Sequence, residues 1–283
     1  MHVVGAVDGR RGSRDSIIHN LVERLDGVLI DRDAEVPKET DIFISWRFKL
    51  IPNLERVAAQ GTTIVCLDLG YFDETKFERF SISIDGVHGL SMPVEAIAKL
   101  PARPKPKLHP WRKGGQFIQI IAPGHPSARK AGDIAAAKII HPEAWAQQTA
   151  SAASLVFEKP AKIRYHPRKL PPGEPIPPPL DSTFEETFCS VTYASTTAIQ
   201  TVIAGVPTVV MHPRSPAFVM GSPNLERVCP IGRSKWLHDL SYREYDMTDP
   251  SELDHAAEYI LMGREQAKDT PVLLPPLTRY GIH

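Results

Sequence analysis

Short apolar runs alternate with stretches in which apolar residues recur at helical spacing, and this alternation organises the N-terminal third of the chain. Val3 to Val7 reads as a strand that ends in the polar loop Asp8-Gly9-Arg10-Arg11-Gly12, after which Ile17, Ile18, Leu21, Val22 and Leu25 form one face of a helix. Further strands are predicted over Gly27 to Ile30, Asp41 to Ser45 and Thr62 to Leu67, with a helix over Asn53 to Gln60 between the last two. Strands separated by helical crossovers predict a parallel sheet. The alternating segment Phe80-Ser81-Ile82-Ser83-Ile84-Asp85-Gly86 then reads as a strand delivering a loop at the edge of that sheet, with Gly86, His88 and Gly89 in the loop.

A second alternating unit begins at Phe117 to Ile121, a buried strand closed by Ala122-Pro123-Gly124-His125-Pro126. His141 to Val156 reads as a helix with a proline near its start, and Lys162 to Tyr165 as a short strand. The proline-rich run Leu170 to Leu180 is loop, and Ser182-Thr183-Phe184-Glu185-Glu186 has the pattern of a capping box. Ser251 to Leu261 is the last long helix, with Leu253, Ala256, Ala257, Ile260 and Leu261 as its buried face. These elements divide the chain into an α/β domain over residues 1–100, a linker over 101–114, a second α/β domain over 115–262 and a tail over 263–283 that crosses back as extended chain.

Composition narrows the function classes. With 42% hydrophobic and 23% charged residues, the 283-residue chain has enough apolar material for two globular domains. It contains no apolar run long enough to span a bilayer and no signal-peptide pattern at Met1 to Val7, so a cytoplasmic location is the expectation, host cytoplasm if the source is viral. Cys66, Cys189 and Cys229 are far apart and lack metal-ligand spacing, which predicts buried reduced thiols. Lys+Arg and Asp+Glu balance at 33 each, so the whole chain is no general coat for a polyanion. The basic residues do gather locally: Lys99, Arg103, Lys105, Lys107, Arg112 and Lys113 share a span with no acid, and four prolines lie between Pro101 and Trp111. That span reads either as a stiff solvated hinge or as a ridge touching a phosphate backbone, with Trp111 available for stacking.

The richest segment is Val191 to Val210, which reads as strand, hydroxyl-rich turn, helix, Gly205 stop and a strand opening at Pro207. Ser195, Thr196 and Thr197 stand where the helix begins. Free N–H groups, hydroxyls and the positive end of the helix dipole at that point suit a diphosphate, but hydroxyl residues also serve simply as helix caps. Both readings stay open on chemistry alone.

The order Arg164-Tyr165-His166-Pro167-Arg168, then Ser195-Thr196-Thr197-Ala198-Ile199, then Ala204-Gly205-Val206-Pro207 resembles the nucleotide-sugar domains of GT-B glycosyltransferases, notably the capsule-type and sialyltransferase-like families. Leu67 to Phe72, Ser81 to Leu90 and Trp236 to Tyr242 are similar to segments of small bacteriophage proteins of glycosyltransferase type, although His88 stands where Asn is expected and Arg243-Glu244-Tyr245 where a Gln-Trp pair is usual. The resemblance implies two Rossmann-like domains facing a cleft. It also implies that Arg164, His166 and Arg168 approach the nucleotide or its phosphates while Ser195, Thr196 and Thr197 hold them.

Glycosyl transfer needs a group to take the acceptor's proton, and Asp85 and His88 lead, with Asp8 as rival. Each aspartate is equally readable as a turn residue. Arg10, Arg11 and His125 are candidates for the cleft, and Arg214 for a sugar or phosphate contact. No Asp-x-Asp, Walker or dinucleotide-binding glycine motif is present, so the expectation is a metal-independent enzyme without a cofactor, using a UDP-sugar as donor. The phage-like resemblance points to a hydroxymethylated pyrimidine in double-stranded DNA as acceptor, a base that must leave the stack. The alternatives are a nucleotide-sugar epimerase or hydrolase of the same fold, and a non-catalytic nucleotide-binding or host-interaction protein.

Overall fold

A computed structural model describes residues 1–9, 12–46, 57, 59–72, 78–84, 105–123, 142–167, 170, 173–193, 195–212 and 215–269. The chain forms two compact units, Met1–Arg103 with Asp239–His283, and Pro104–His238.

The first unit is built on a six-stranded sheet of β1 (Val3–Val7), β2 (Val28–Asp31), β3 (Ile42–Trp46), β4 (Thr63–Leu69), β5 (Arg79–Ile84) and β10 (Glu244–Asp246) in the order β10-β5-β4-β3-β1-β2. β2, β1, β3 and β4 run parallel, β5 is antiparallel to β4, and β10 is antiparallel to β5 and so runs in the direction of the first four. β5 is not at the edge of the sheet, because β10 pairs outside it through Glu244↔Ser81, Tyr245↔Phe80 and Asp246↔Arg79. Three residues are too few to carry a periodicity, which is why β10 is hidden in the sequence.

Helix α1 (Ser13–Arg24) and the C-terminal helix α5 (Pro250–Asp269) join the same apolar cluster, bringing Ile17, Ile18 and Leu21 together with Leu253, Tyr259 and Ile260 over Ile42, Ile44 and Ile82. Full burial of Leu253 or Ile260 stabilises the unit by about 1.5–3 kcal/mol each. α5 runs longer than its apolar pattern marks, and Leu261, expected on the buried face, is exposed while Tyr259 is buried. Arg24 Nε lies 2.6 Å from Asp254 Oδ1, and Arg264 Nη2 lies 2.5 Å from Asp41 Oδ1. The chain thus rejoins the first unit at Asp239, well before the 115–262 boundary read from sequence, because β10 and α5 complete the first sheet and its core.

The second unit carries a four-stranded, all-parallel sheet of β6 (Phe117–Ile121), β7 (Ala161–Arg164), β8 (Thr187–Thr192) and β9 (Thr208–Val210) in the order β7-β6-β8-β9. Helix α2 (Pro142–Phe157) covers one face through Trp145, Ala146 and Ala153 on Ile118, Ile120, Cys189 and Val191. Helix α3 (Thr197–Ile203) serves the other, where Thr201 Oγ1 and Thr208 Oγ1 are 2.9 Å apart. Asp181–Glu186 forms a 3-10 turn with no side-chain cap, so the capping-box reading does not hold; Ser182 Oγ and Thr183 Oγ1 donate backwards to Pro179 O and Leu180 O at 2.7 and 2.6 Å. Helix α4 (Arg233–Ser241) follows the sheet.

The described part of the basic linker is a packed strap and not a solvated hinge. His109 N–H donates to Ile203 O at 2.9 Å and Arg112 N–H to Gly205 O at 2.7 Å. Arg233 donates to His109 O (2.7 Å) and Val202 O (2.9 Å), and Arg227 to Arg112 O and Phe188 O (3.3 Å to the latter), so each guanidinium staples the strap to the body of the unit. Trp111, read as a stacking platform, donates Nε1–H to Pro230 O at 3.2 Å and is covered by the Arg233 guanidinium 3.9 Å from its ring centroid. Cys66 and Cys189 are buried free thiols, whereas Cys229 is exposed. Among the described residues no helix is long and apolar enough to cross a membrane.

Candidate functional site

In both units the parallel core has the same 2-1-3-4 order in chain sequence, β2-β1-β3-β4 and β7-β6-β8-β9. In such sheets the two connections that leave the neighbouring central strands diverge to opposite sides, opening a crevice beyond the strands' carboxyl ends. In the second unit that point lies between β6 and β8.

Three short loops bring polar and aromatic groups to this edge. Arg164 ends β7 and its carbonyl accepts Ala122 N–H at 3.0 Å, so the register of β6 and β7 sets where Tyr165 and His166 emerge. Burial lowers the Arg164 pKa, with Asp181 acting in the opposite direction. Burial raises the Tyr165 pKa, assisted by Glu143 and Glu174. After β8 and β9, Met211 N–H donates to Thr192 O (3.0 Å) and His212 N–H to Tyr193 O (2.9 Å), holding the two loops side by side. The Tyr193 ring then lies between Trp145, edge-on at 5.9 Å, and His212 at 4.9 Å. Sequence reasoning missed this aromatic group; Tyr193 and His212 sit at strand ends, the one signal that marks them.

The hydroxyl turn is a worked helix start. Ser195 Oγ accepts Thr197 N–H (3.1 Å), Ser195 O accepts Ala198 N–H and the Ser215 hydroxyl (both 3.3 Å), and Thr196 O accepts Ile199 N–H (2.9 Å). Ser195 N–H itself donates to Thr192 Oγ1 at 3.3 Å. The capping role is therefore present, and Ser195, not Thr196, performs it, because Thr196 already has helical backbone angles and its side chain makes no cap. The Ser195 hydroxyl accepts in this bond and keeps its own proton to donate.

In the first unit, Asp8 follows β1 and its carboxylate lies 2.9 Å from Arg32 Nη1, with Asp8 N–H donating to Asp15 Oδ1 at 3.2 Å. Asp85, His88, Arg10, Arg11, His125, Arg168 and Arg214 lie outside the described residues. At the carboxyl edge of the second sheet, Arg164 ends β7 and His166 follows it, while Ser195 and Thr196 lie in the turn after β8 and Thr197 opens α3.

The fold is thus a mixed α/β one, with a parallel sheet core in each unit. Among solved structures, the chain is similar to the beta Kdo 2,4 transferase of Thermosulfurimonas dismutans KpsC, at 11% identity and a TM-score of 0.49 over 92% of this chain and 98% of that one. It is similar also to the beta Kdo 2,7 transferase of the same protein, at 10% identity and a TM-score of 0.49 over 92% and 99%. No protein-family model matches the chain, and no curated protein matches it significantly.

Proposed function

We propose that the chain is a glycosyltransferase of the GT-B type that holds a nucleotide-sugar, a UDP-sugar by preference, at the carboxyl edge of the second sheet. The observation that carries the reading is the 2-1-3-4 parallel sheet with Arg164 at the end of β7, His166 after it and Ser195 after β8, at and beside the switch point. The order of these residues along the chain, with Gly205-Val206-Pro207 after them, is the order that resembles nucleotide-sugar domains. Chemically, a departing nucleotide accumulates negative charge on its phosphate, and a fixed guanidinium and hydroxyl donors stabilise that charge as it develops. Arg164 suits this task because it is partly withdrawn from water, where its charge is less screened. The aromatic group of Trp145, Tyr193 and His212 offers flat surfaces for a base or a sugar ring. In this reading the reaction proceeds without a metal, the cations of the site meeting the phosphate charge.

Thermal unfolding with UDP, CMP, GDP and ADP and their sugar conjugates tests the proposal. A nucleotide at a hundred times its Kd adds about 2.7 kcal/mol to the native state. The expected result is stabilisation of the wild type by one nucleotide class and its loss in Arg164→Ala; absence of any shift across the panel contradicts the reading.

A further inference from the structure

Among the described residues, the buried side-chain atoms without a hydrogen-bond partner include, at the carboxyl edge of the first sheet, Ser45 Oγ, Trp46 Nε1 and Asp15 Oδ2, and the last two define a chemistry. Trp46 is the last residue of β3 and is 6% exposed, yet its Nε1–H has no acceptor. Asp15, in the first turn of α1, receives Asp8 N–H on Oδ1, while its buried Oδ2 has no donor. Both stand at the β1/β3 switch point. Ser45, one residue before Trp46, pairs with Ala6 of β1, two residues before Asp8, and Trp46 belongs to the apolar cluster that α1 covers with Ile17 and Ile18. Arg14, next to Asp15 on that first turn, lies 5.3 Å from the Trp46 ring centroid. Asp8, one residue past β1, is occupied by Arg32 at 2.9 Å.

We propose that Asp15 and Trp46 form a binding site for a neutral, polyhydroxylated ring, a sugar of the acceptor side. Its role in transfer rests on the glycosyltransferase reading above, whereas its ability to bind does not. The pairing of the two atoms selects the ligand class. An indole N–H only donates and an ionised carboxylate only accepts, and a hydroxyl group is the function that answers both. A phosphate or carboxylate ligand would satisfy Trp46 but would leave Asp15 Oδ2 without a donor and face its charge. A metal ion would satisfy Asp15 and leave the indole N–H buried without a partner. A ring carrying several hydroxyls can accept from the one and donate to the other at no such cost. Asp15 Oδ1, fixed by the Asp8 N–H, aims the second oxygen, so the carboxylate is held for its ligand before the ligand arrives.

The test is saturation-transfer NMR on the full chain with methyl glycosides of glucose, galactose and N-acetylglucosamine as probes and cyclohexanol as control. Saturation of at least one glycoside is expected in the wild type, with none of cyclohexanol. Asp15→Asn keeps the bond from Asp8 N–H and loses the charge, and Trp46→Phe keeps the ring and loses the donor. Each is expected to weaken glycoside binding about tenfold, the loss of one hydrogen bond. A wild type that saturates no glycoside, or either variant binding as well as wild type, overturns the proposal. Nucleotide stabilisation measured on the same proteins reads the glycosyltransferase proposal separately: it is expected unchanged in Asp15→Asn and Trp46→Phe, and its absence from all three overturns that reading alone. Should Trp46→Phe not fold, Asp15→Asn decides.

Discussion

The Arg79 guanidinium lies 2.8 Å from the carboxylate of Glu244, a side chain almost wholly withdrawn from water. The same carboxylate accepts the backbone N–H groups of Tyr71 and Phe72, the latter at 3.0 Å, so one residue of β10 ties down the turn that follows β4 and the start of β5. Removing one partner of a buried ion pair strands the other charge and, here, two amide donors as well. Glu244→Ala is expected to destabilise the first unit by about 2–4 kcal/mol, measured by urea unfolding of the full chain. Arg79→Ala, whose partner keeps two N–H donors and whose own side chain is a quarter exposed, is expected to cost clearly less. Equal costs would mean that the N–H bonds contribute nothing.

Gly205 has φ +75°, and a Cβ there would collide with the carbonyl oxygen of Pro110 in the strap. Gly232, at φ +89°, has nothing near its Cβ position. Gly205→Ala is expected to cost more than the roughly 1–2 kcal/mol of left-handed strain that Gly232→Ala incurs, because the strap must also move. Limited proteolysis around Lys105 to Lys113 is expected to quicken in Gly205→Ala and not in Gly232→Ala. Parallel behaviour of the two variants would contradict the packed strap.

The thiols separate by burial. Desolvation pushes the Cys189 pKa up to about 12, and Cys66 is buried, while Cys229 is exposed. A thiol reagent at neutral pH is expected to modify one thiol rapidly in the native protein and three after denaturation. Because the folded-state pKa of Cys189 is raised, its contribution to stability is present below the ordinary thiol pKa and is lost as pH rises toward 12. Fast native modification of more than one thiol would contradict this burial pattern.

Asp41 titrates in the opposite sense. The His2 N–H donating at 2.6 Å and the Arg264 guanidinium lower its pKa, against a smaller opposing effect of burial. A depressed carboxylate contributes stability that is whole above the unfolded value of 3.8 and is lost as pH falls through its folded value. Asp41→Asn is therefore expected to be less stable than wild type near neutrality, with the gap closing in acid below pH 3.8. A gap that stays constant through that range would show that the charge of Asp41 is not what stabilises.

Long periodic segments were legible in the sequence: the apolar face of α1, that of α5 apart from Leu261, the buried runs of β1, β3, β4 and β6, and the strand–turn–helix–strand order around Ser195 fold as their pattern predicts. What tertiary contact decides was not. β10 is three residues long and acquires its meaning from pairing with β5, and the proline-rich strap looks solvated until Arg227 and Arg233 are seen stapling it. Arg164, His166 and Ser195 are candidates named from their order in the sequence, whereas Trp145, Tyr193 and His212 converge from three separate segments with no local signature. The expectation of a DNA acceptor rested on the phage-like resemblance, part of whose segment Ser81 to Leu90 lies outside the described residues, while the ring face of Trp111, the stacking candidate, is already covered by Arg233.

In the proposed function, the carboxyl edge of the second sheet holds a nucleotide through Arg164. Isothermal titration of the full chain with UDP, CMP, GDP and ADP, repeated with Arg164→Ala and with Arg264→Ala, a first-unit residue paired with Asp41, as control, measures it directly. The account predicts saturable binding of one nucleotide class, weakened at least about tenfold in Arg164→Ala, the loss of a charge-assisted hydrogen bond, and unchanged in Arg264→Ala. Binding that Arg164→Ala leaves intact, or no binding of any nucleotide by the wild type, would contradict it.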